Sequence, residues 1–294
     1  MTRLQNFPDC KVCGAKDPET LLSTGFLSPP VWDFLEAYYR GRLGKELFED
    51  AKFQVSKCRG CGFIWQANIL GPEGMGKLYG DWIVPEESLA KKKSSDFSVF
   101  RDYALQVQTI SLLVGRKPVE TEVLDFGMGW GFWCLMAKAH GFNVRGLEIS
   151  KDRIAFARGN GIDVREDIAA LSDRKYDFIN TEQVFEHLDT PRDTIDSIVA
   201  LLKPGGFVRI SVPDGSAIEA KLRQPGWKAA KDAIHPLEHI NCFTHASLVK
   251  LGETAGLKPV RPPVQTHSFK SLVKKTMGPL APMPAGTTVY FKRQ

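Results

Sequence analysis

Between Phe97 and Arg293 the chain switches repeatedly between short apolar runs and longer stretches with a single apolar face. "TEVLDF" reads as a buried strand and "WGFWCLMAKAH" as the helix after it, closed by Gly141. "NVRGLEI" is a second strand, followed by the helix "KDRIAFARGN" and its closing Gly161. "IDVRE" and "YDFINT" are the third and fourth strands. Pro191 stands where a first-turn proline belongs, and the helix it opens carries Ile195, Ile198, Val199 and Leu202 on one face. "LKPGG" turns the chain into the strand "FVRISV"; Thr244 then caps "HASLVKLGETAG", and "TTVYFKRQ" is a last strand. Strands alternating with helices predict an α/β fold, a parallel sheet covered by helices.

The N-terminal part has a different texture. It holds two cysteine pairs, a Pro29–Pro30 turn, one predicted helix over "VWDFLEAYYRGRLGKELFED" (Val31 to Asp50) and a predicted loop, "GPEGMG" (Gly71 to Gly76). The expected division is a domain over residues 1–85 and a second over 97–294, the boundary falling between Gly80 and Phe97. The inserted helix, with Phe34, Tyr38 and Tyr39, reads as a lid, with an aromatic stripe packed into the core as the alternative.

Composition narrows the class. With 43% hydrophobic and 25% charged residues in 294, the chain can bury a sizeable core. It has no apolar run of the roughly 20 residues a membrane span requires. "MTRLQNFPDC" lacks the apolar centre of a signal peptide, so the default expectation is the cytoplasm. The net charge of +5 is a weak pointer to nucleic acid, because much of the excess is local, at Lys91–Lys93 and at Lys274, Lys275, Lys292 and Arg293.

The glycines of "VLDFGMGWGFW" bring a backbone close to a ligand. Gly127, Gly129 and Gly131 are spaced G-x-G-x-G, which fits neither the dinucleotide fingerprint nor a nucleotide triphosphate loop. Asp125 lies at the carboxyl end of the first strand, where it repels a pyrophosphate and attracts a cation. Glu148 ends the second strand, placed to accept from two ribose hydroxyls, and Asp167 follows the third, with Ile168 beside it. Three carboxylates at successive strand ends suit an adenosyl ligand with a sulfonium and an amino group, such as S-adenosylmethionine. The competing reading is a sheet whose acids only cap helices.

"LDFGMGWG", "GLEIS", "YDFINTEQVFEHL" and "LLKPGGFVRISVP", in this order, resemble the successive motifs of the class I S-adenosylmethionine-dependent methyltransferases. The resemblance covers about two-thirds of the chain, from Phe97 to Arg293. It implies a Rossmann-like sheet of seven strands with the last one antiparallel. It also implies that the glycine turn and Asp125 hold the methionine end, Glu148 the ribose, Asp167 and Ile168 the adenine, and that Thr181 and Glu182 line the floor.

"CKVCG" and "CRGCG" have the form of two zinc knuckles, so Cys10, Cys13, Cys58 and Cys61 are expected to hold a structural Zn2+. A redox pair and a metal-free degenerate site are the alternatives; Cys134 and Cys242 read as core residues. A four-cysteine segment joined to this fold resembles the sugar C-methyltransferases and related small-molecule methyltransferases. Zinc-bearing nucleobase methyltransferases are the other precedent. "NTEQ" after the fourth strand resembles neither an adenine amino-methylation motif nor a covalent pyrimidine site.

Of six histidines, His235, His239 and His245 fall within "HPLEHINCFTH". "EHINCFT" resembles the Glu-His segment of the sugar C-methyltransferases, which implies that Glu238 and His239 act on the acceptor as base and partner. A loop-bonding role for His239 is the alternative. The family's tyrosine has no counterpart just before Glu238, where Pro236 and Leu237 stand. His187, in "FEHL", takes a supporting role, while His140 and His267 give no signal. The expected activity is methyl transfer to a hydroxyl or activated carbon of a sugar or secondary metabolite. RNA or DNA methylation, with the zinc segment gripping nucleic acid, is the alternative.

Overall fold

A computed structural model describes residues 4–263 and 286–294; Lys274, Lys275 and His267 lie outside the described residues. The chain forms two compact units, neither contiguous in sequence. The first combines Met1–Ser94 with Phe185–Ile195 and Val212–Thr254; the second combines Ser95–Val184, Asp196–Ser211 and Ala255–Gln294. This grouping puts the histidine cluster in the same unit as the cysteines.

In chain order the described strands and helices begin with β1 (Leu4–Asn6), β2 (Glu19–Gly25), α1 (Val31–Tyr38), β3 (Lys52–Lys57), β4 (Ile64–Gln66) and β5 (Asn68–Leu70). Next come α2 (Pro72–Lys77), α3 (Pro85–Lys93), α4 (Phe97–Val114), β6 (Glu122–Phe126), α5 (Phe132–Ala139), β7 (Asn143–Leu147), α6 (Lys151–Gly159) and β8 (Asp163–Arg165). The remainder is β9 (Tyr176–Glu182), α7 (Pro191–Leu201), β10 (Leu202–Pro213), α8 (Ile218–Leu222), β11 (Asn241–Cys242), α9 (His245–Thr254), β12 (Leu257–Val260) and β13 (Gly286–Arg293).

The second unit carries the seven-stranded sheet, in the order β12-β13-β10-β9-β6-β7-β8. β8, β7, β6, β9 and β10 are parallel, and β12 pairs antiparallel with β13. The order reverses between β6 and β9, which is the switch point where such sheets bind ligands. α4 and α5 cover β6 and β9 through Tyr103, Val107, Trp133, Ala137 and Phe178, all buried. α4 starts where Asp96 accepts the N–H of Ser98 at 2.8 Å and stops at Gly115, whose φ is +68°. The strands expected at "TEVLDF", "NVRGLEI", "IDVRE", "YDFINT", "FVRISV" and "TTVYFKRQ" are present as β6, β7, β8, β9, β10 and β13, with ends that differ from the expectation.

The first unit holds an antiparallel sheet, β11-β4-β3-β2, and a separate pair, β1-β5. Its core gathers Phe26, Val31, Leu35, Tyr39, Phe48, Phe53 and Ile234. Two expectations are corrected here. The helix expected from Val31 to Asp50 ends at Tyr38, because Arg40 and Gly41 turn left-handed at φ +54° and +70°. The expected loop at Gly71–Gly76 is largely the helix α2, opened by Pro72 at its first turn. Thr244 caps α9 as expected, its hydroxyl accepting the Ser247 N–H at 3.2 Å. Among the described residues no helix is long and apolar enough to cross a membrane.

Candidate active site

Strand register builds one cluster of candidate residues in the second unit. Asp125 on β6 lies opposite Asn180 on β9, and Asn180 lies opposite Arg209 on β10. The row is wired together: Asn180 Nδ2 donates to Asp125 Oδ1 at 2.8 Å, and Arg209 Nη1 donates to Asn180 Oδ1 at 2.9 Å and to Glu182 Oε2 at 3.0 Å. Cys134, expected only as core, also offers its thiol to Asp125 Oδ2 at 3.6 Å. Glu182 pairs with the guanidinium directly, and Asp125 is linked to it through the Asn180 amide. Burial lifts the Asp125 carboxyl to about 7, against the pull of the Asn180 amide. With Asp125 ionised the row has one negative charge in excess, which a cationic ligand balances.

The turn after β6 is fixed by its backbone. Gly127, Gly129 and Gly131 all have positive φ, and a Cβ on Gly131 would lie 2.7 Å from Ile162 Cδ1. Gly129 N–H donates to Glu148 Oε2 at 3.0 Å, so the glycine turn and the acid ending β7 form one structure. Glu148 Oε1 also accepts from the N–H groups of Ile149 and Ser150, both at 2.9 Å. A carboxylate offers about four acceptor positions, so three backbone bonds leave it able to accept a ligand hydroxyl.

Asp167 is exposed and its Oδ1 accepts the N–H of Ala170 at 2.7 Å; Ile168 beside it is 37% exposed. Asp167 therefore also caps the turn that follows it, as the competing reading has it. Thr181 is fully buried, and its Oγ1 has no hydrogen-bond partner among the described residues. A buried hydroxyl without a protein partner is unusual and leaves room for an ordered water or a ligand group to bond it. Gln183, just beyond β9, has φ +57°, a conformation that costs energy for a non-glycine residue and is common at functional sites. Sequence reasoning missed Asn180, Arg209 and Ile149, the last 77% exposed directly after Glu148. An arginine inside the apolar strand "FVRISV" was the available signal. Trp133 belongs to the core, its indole N–H bonded to Gln106 at 3.1 Å.

A separate cluster of candidate residues lies within the first unit. His235 and His239 close a tight turn, His239 N–H donating to His235 carbonyl at 3.1 Å. Leu237 within it has φ +75°, unfavourable for a bulky side chain. Gln66 on β4 clamps the turn, donating to the carbonyls of His235 and His239 at 2.8 and 3.0 Å. Glu238 is buried and accepts the Tyr39 hydroxyl at 2.7 Å; His235 Nε2 lies 3.8 Å from the same oxygen. The tyrosine in contact with Glu238 is thus Tyr39, the residue after α1, and not a sequence neighbour. Phe34 and Tyr38 pack edge-on against His235.

Two imidazoles face each other here. The His187 and His239 rings are 5.1 Å apart at 74°. His187 Nδ1 bonds the Glu238 carbonyl at 2.9 Å and His239 Nδ1 bonds the Asp232 carbonyl at 2.5 Å. A carbonyl only accepts, so each Nδ1 carries the proton and each Nε2 keeps its lone pair. Burial drives His187 down to about 3 and lowers His239 as well, so both are neutral near pH 7.

The cysteines meet as two like turns. Gly14 and Gly62 follow them with φ +74° and +73°, and their N–H groups return to the carbonyls of Cys10 and Cys58. Cys10 and Cys61 Sγ are 3.6 Å apart, Cys13 and Cys58 Sγ 3.5 Å. The N–H groups of Cys13, Gly60 and Cys61 point at sulfurs, at 3.3–3.5 Å.

A seven-stranded sheet in this order, with an acid–glycine turn at its switch point, defines a class I S-adenosylmethionine-dependent methyltransferase. Residues 98–261 match the family described as Methyltransferase domain, and the chain belongs to that family. Among curated relatives, the ubiquinone biosynthesis O-methyltransferase of Xylella fastidiosa (strain 9a5c) is 26% identical over 53% of this chain and 72% of its own length. Its counterpart in Vibrio parahaemolyticus serotype O3:K6 is 32% identical over 48% and 67%. A plantazolicin methyltransferase solved with SAH and a monoazolic desmethylPZN analog superimposes with a TM-score of 0.53, at 16% identity, over 76% of this chain and 94% of that one; at that identity the likeness concerns the fold.

Proposed function

We propose that this methyltransferase acts on a hydroxyl or an activated carbon of a small molecule. S-adenosylmethionine, when bound, supplies an electrophilic methyl group. Asp125 balances the positive charge of its methionine end, and Glu148 accepts from a ribose hydroxyl. Asp167, Ile168 and Ile149 take the adenine, while Thr181 and Glu182 complete the floor. On the acceptor side His239 Nε2 removes the proton, with Glu238 holding the loop and His187 supporting it. The observation that carries the reading is the pair of backbone-fixed imidazoles, His187 and His239, neutral and with Nε2 available, the second of them on a strained turn. The naming of the curated relatives as biosynthetic O-methyltransferases supports a small-molecule acceptor and does not favour the nucleic-acid alternative.

The four thiolates suit a structural Zn2+. Sulfurs at about 2.3 Å from a tetrahedral ion stand about 3.8 Å apart, and the pairs here are at 3.5 and 3.6 Å with no disulfide between them. Backbone N–H groups aimed at sulfur stabilise thiolates and fill the shell around such an ion.

The test is release of S-adenosylhomocysteine over a panel of phenols, hydroxylated metabolites and nucleotide-linked sugars. His239→Gln is expected to lower kcat by about 10²–10⁴-fold while cofactor affinity, measured by calorimetry, holds. A kcat within twofold of wild type on the best acceptor would remove His239 as the base.

A further inference from the structure

Beside the four sulfurs, one other group of ligating side chains comes together among the described residues: Glu186, His187 and His239, each with one ligand atom within 4.8 Å of the other two. All three belong to the first unit. His187 Nε2 lies 3.8 Å from Glu186 Oε1. Donors at about 2.1 Å from one ion can stand up to about 4.2 Å apart, so an ion fits after a shift of about half an ångström.

The wiring around the cluster is that of metal ligands. A ligating imidazole gives its second ring N–H to a carbonyl or carboxylate, which fixes the tautomer and aims the lone pair. His187 and His239 both do so, through the Glu238 and Asp232 carbonyls. Glu186 is wholly buried, whereas the His187 side chain is 25% exposed and gives an ion a path from solvent. Lys231 opposes positive charge at His187, so the carboxylates of Glu186 and nearby Glu238 are what make the site hospitable to a cation.

We propose that Glu186, His187 and His239 form a second metal site, a two-histidine, one-carboxylate set that takes a divalent first-row transition ion and leaves coordination positions open. Its consequence rests on the reading of His239 as the base. An ion on Nε2 occupies the lone pair that would accept the acceptor's proton, so ion binding and base catalysis exclude each other.

The experiment uses the full chain, freed of weakly held metal by dialysis against a mild chelator, and titrated with Co2+ alone. One further equivalent is expected, with visible ligand-field bands of nitrogen and oxygen ligation and no thiolate-to-cobalt charge-transfer band. Loss of a second-shell group alone weakens a metal site about 10–100-fold, so Glu186→Gln and His187→Ala should each weaken cobalt binding by at least about tenfold. Unchanged S-adenosylmethionine affinity and circular dichroism show that the variants are folded. No cobalt beyond the four-sulfur site, or equal affinity in both folded variants, would overturn the proposal. If cobalt binds at the site and methyl transfer proceeds unchanged, it is the base role of His239 that fails, and the metal site stands.

Discussion

If Asp125 faces the cofactor's positive charge as proposed, cofactor affinity should depend on pH. Its carboxyl, buried at the junction of β6 and β9, is held up to about 7, and a positively charged ligand requires the ionised form. Binding must therefore expel a proton wherever Asp125 is still protonated, and the apparent Kd rises by the factor 1 + 10^(pKa − pH). From pH 8 to pH 6 affinity for S-adenosylmethionine should fall about tenfold, close to 1.4 kcal/mol. Calorimetry in two buffers of different ionisation enthalpy should count nearly one proton released at pH 6. In Asp125→Asn the charge and the slope both vanish, and the ratio of the two proteins' affinities cancels the ligand's own titration. A ratio that is flat from pH 5.5 to 8 would refute the reasoning. The same shift fixes a sign for stability. A carboxyl raised in the folded state contributes stability below its unfolded pKa of about 3.9, and that contribution is lost as pH rises through about 7.

Other consequences can be checked directly. Metal analysis should find zinc on the four sulfurs, and Cys58→Ser should lose it along with the fold of the first unit, because structural zinc binding contributes on the order of 10 kcal/mol to folding; a fully folded, zinc-free variant would contradict this. Tyr39→Phe strips a hydroxyl from the buried Glu238 carboxylate and should cost about 1–3 kcal/mol in urea denaturation; no loss would show that the bond contributes nothing. Gly131→Ala puts a Cβ at φ +76°, against Ile162. It should cost about 1–2 kcal/mol of backbone strain and weaken cofactor binding; unchanged stability would mean that the turn relaxes freely.

The parallel sheet was legible because each strand is a short apolar run, most ending in an acid or followed by a glycine, and each intervening helix has one apolar face. Local pattern carries that information. The first unit was not legible in the same way: β4 pairs with β11, at Trp65 opposite Asn241, and no local signal announces such a pairing. The over-long α1 shows periodicity running past its evidence, since Gly41 and Gly44 already marked a stop. In the site, Asp125, Glu148 and the three glycines stood at readable positions. Asn180 and Arg209 did not, because their role depends on cross-strand register. Tyr39 reaches Glu238 across 199 residues of sequence, a contact only the fold creates.

The central claim is that Glu148 and the glycine turn hold the adenosyl ligand, and calorimetric titration of wild type and Glu148→Ala with S-adenosylhomocysteine tests it most directly. A bond from a hydroxyl to a carboxylate contributes about 1.5–3 kcal/mol, so wild type should bind one ligand per chain and the variant at least about tenfold more weakly. Absence of binding to wild type, or equal affinity in a folded variant, would contradict the account.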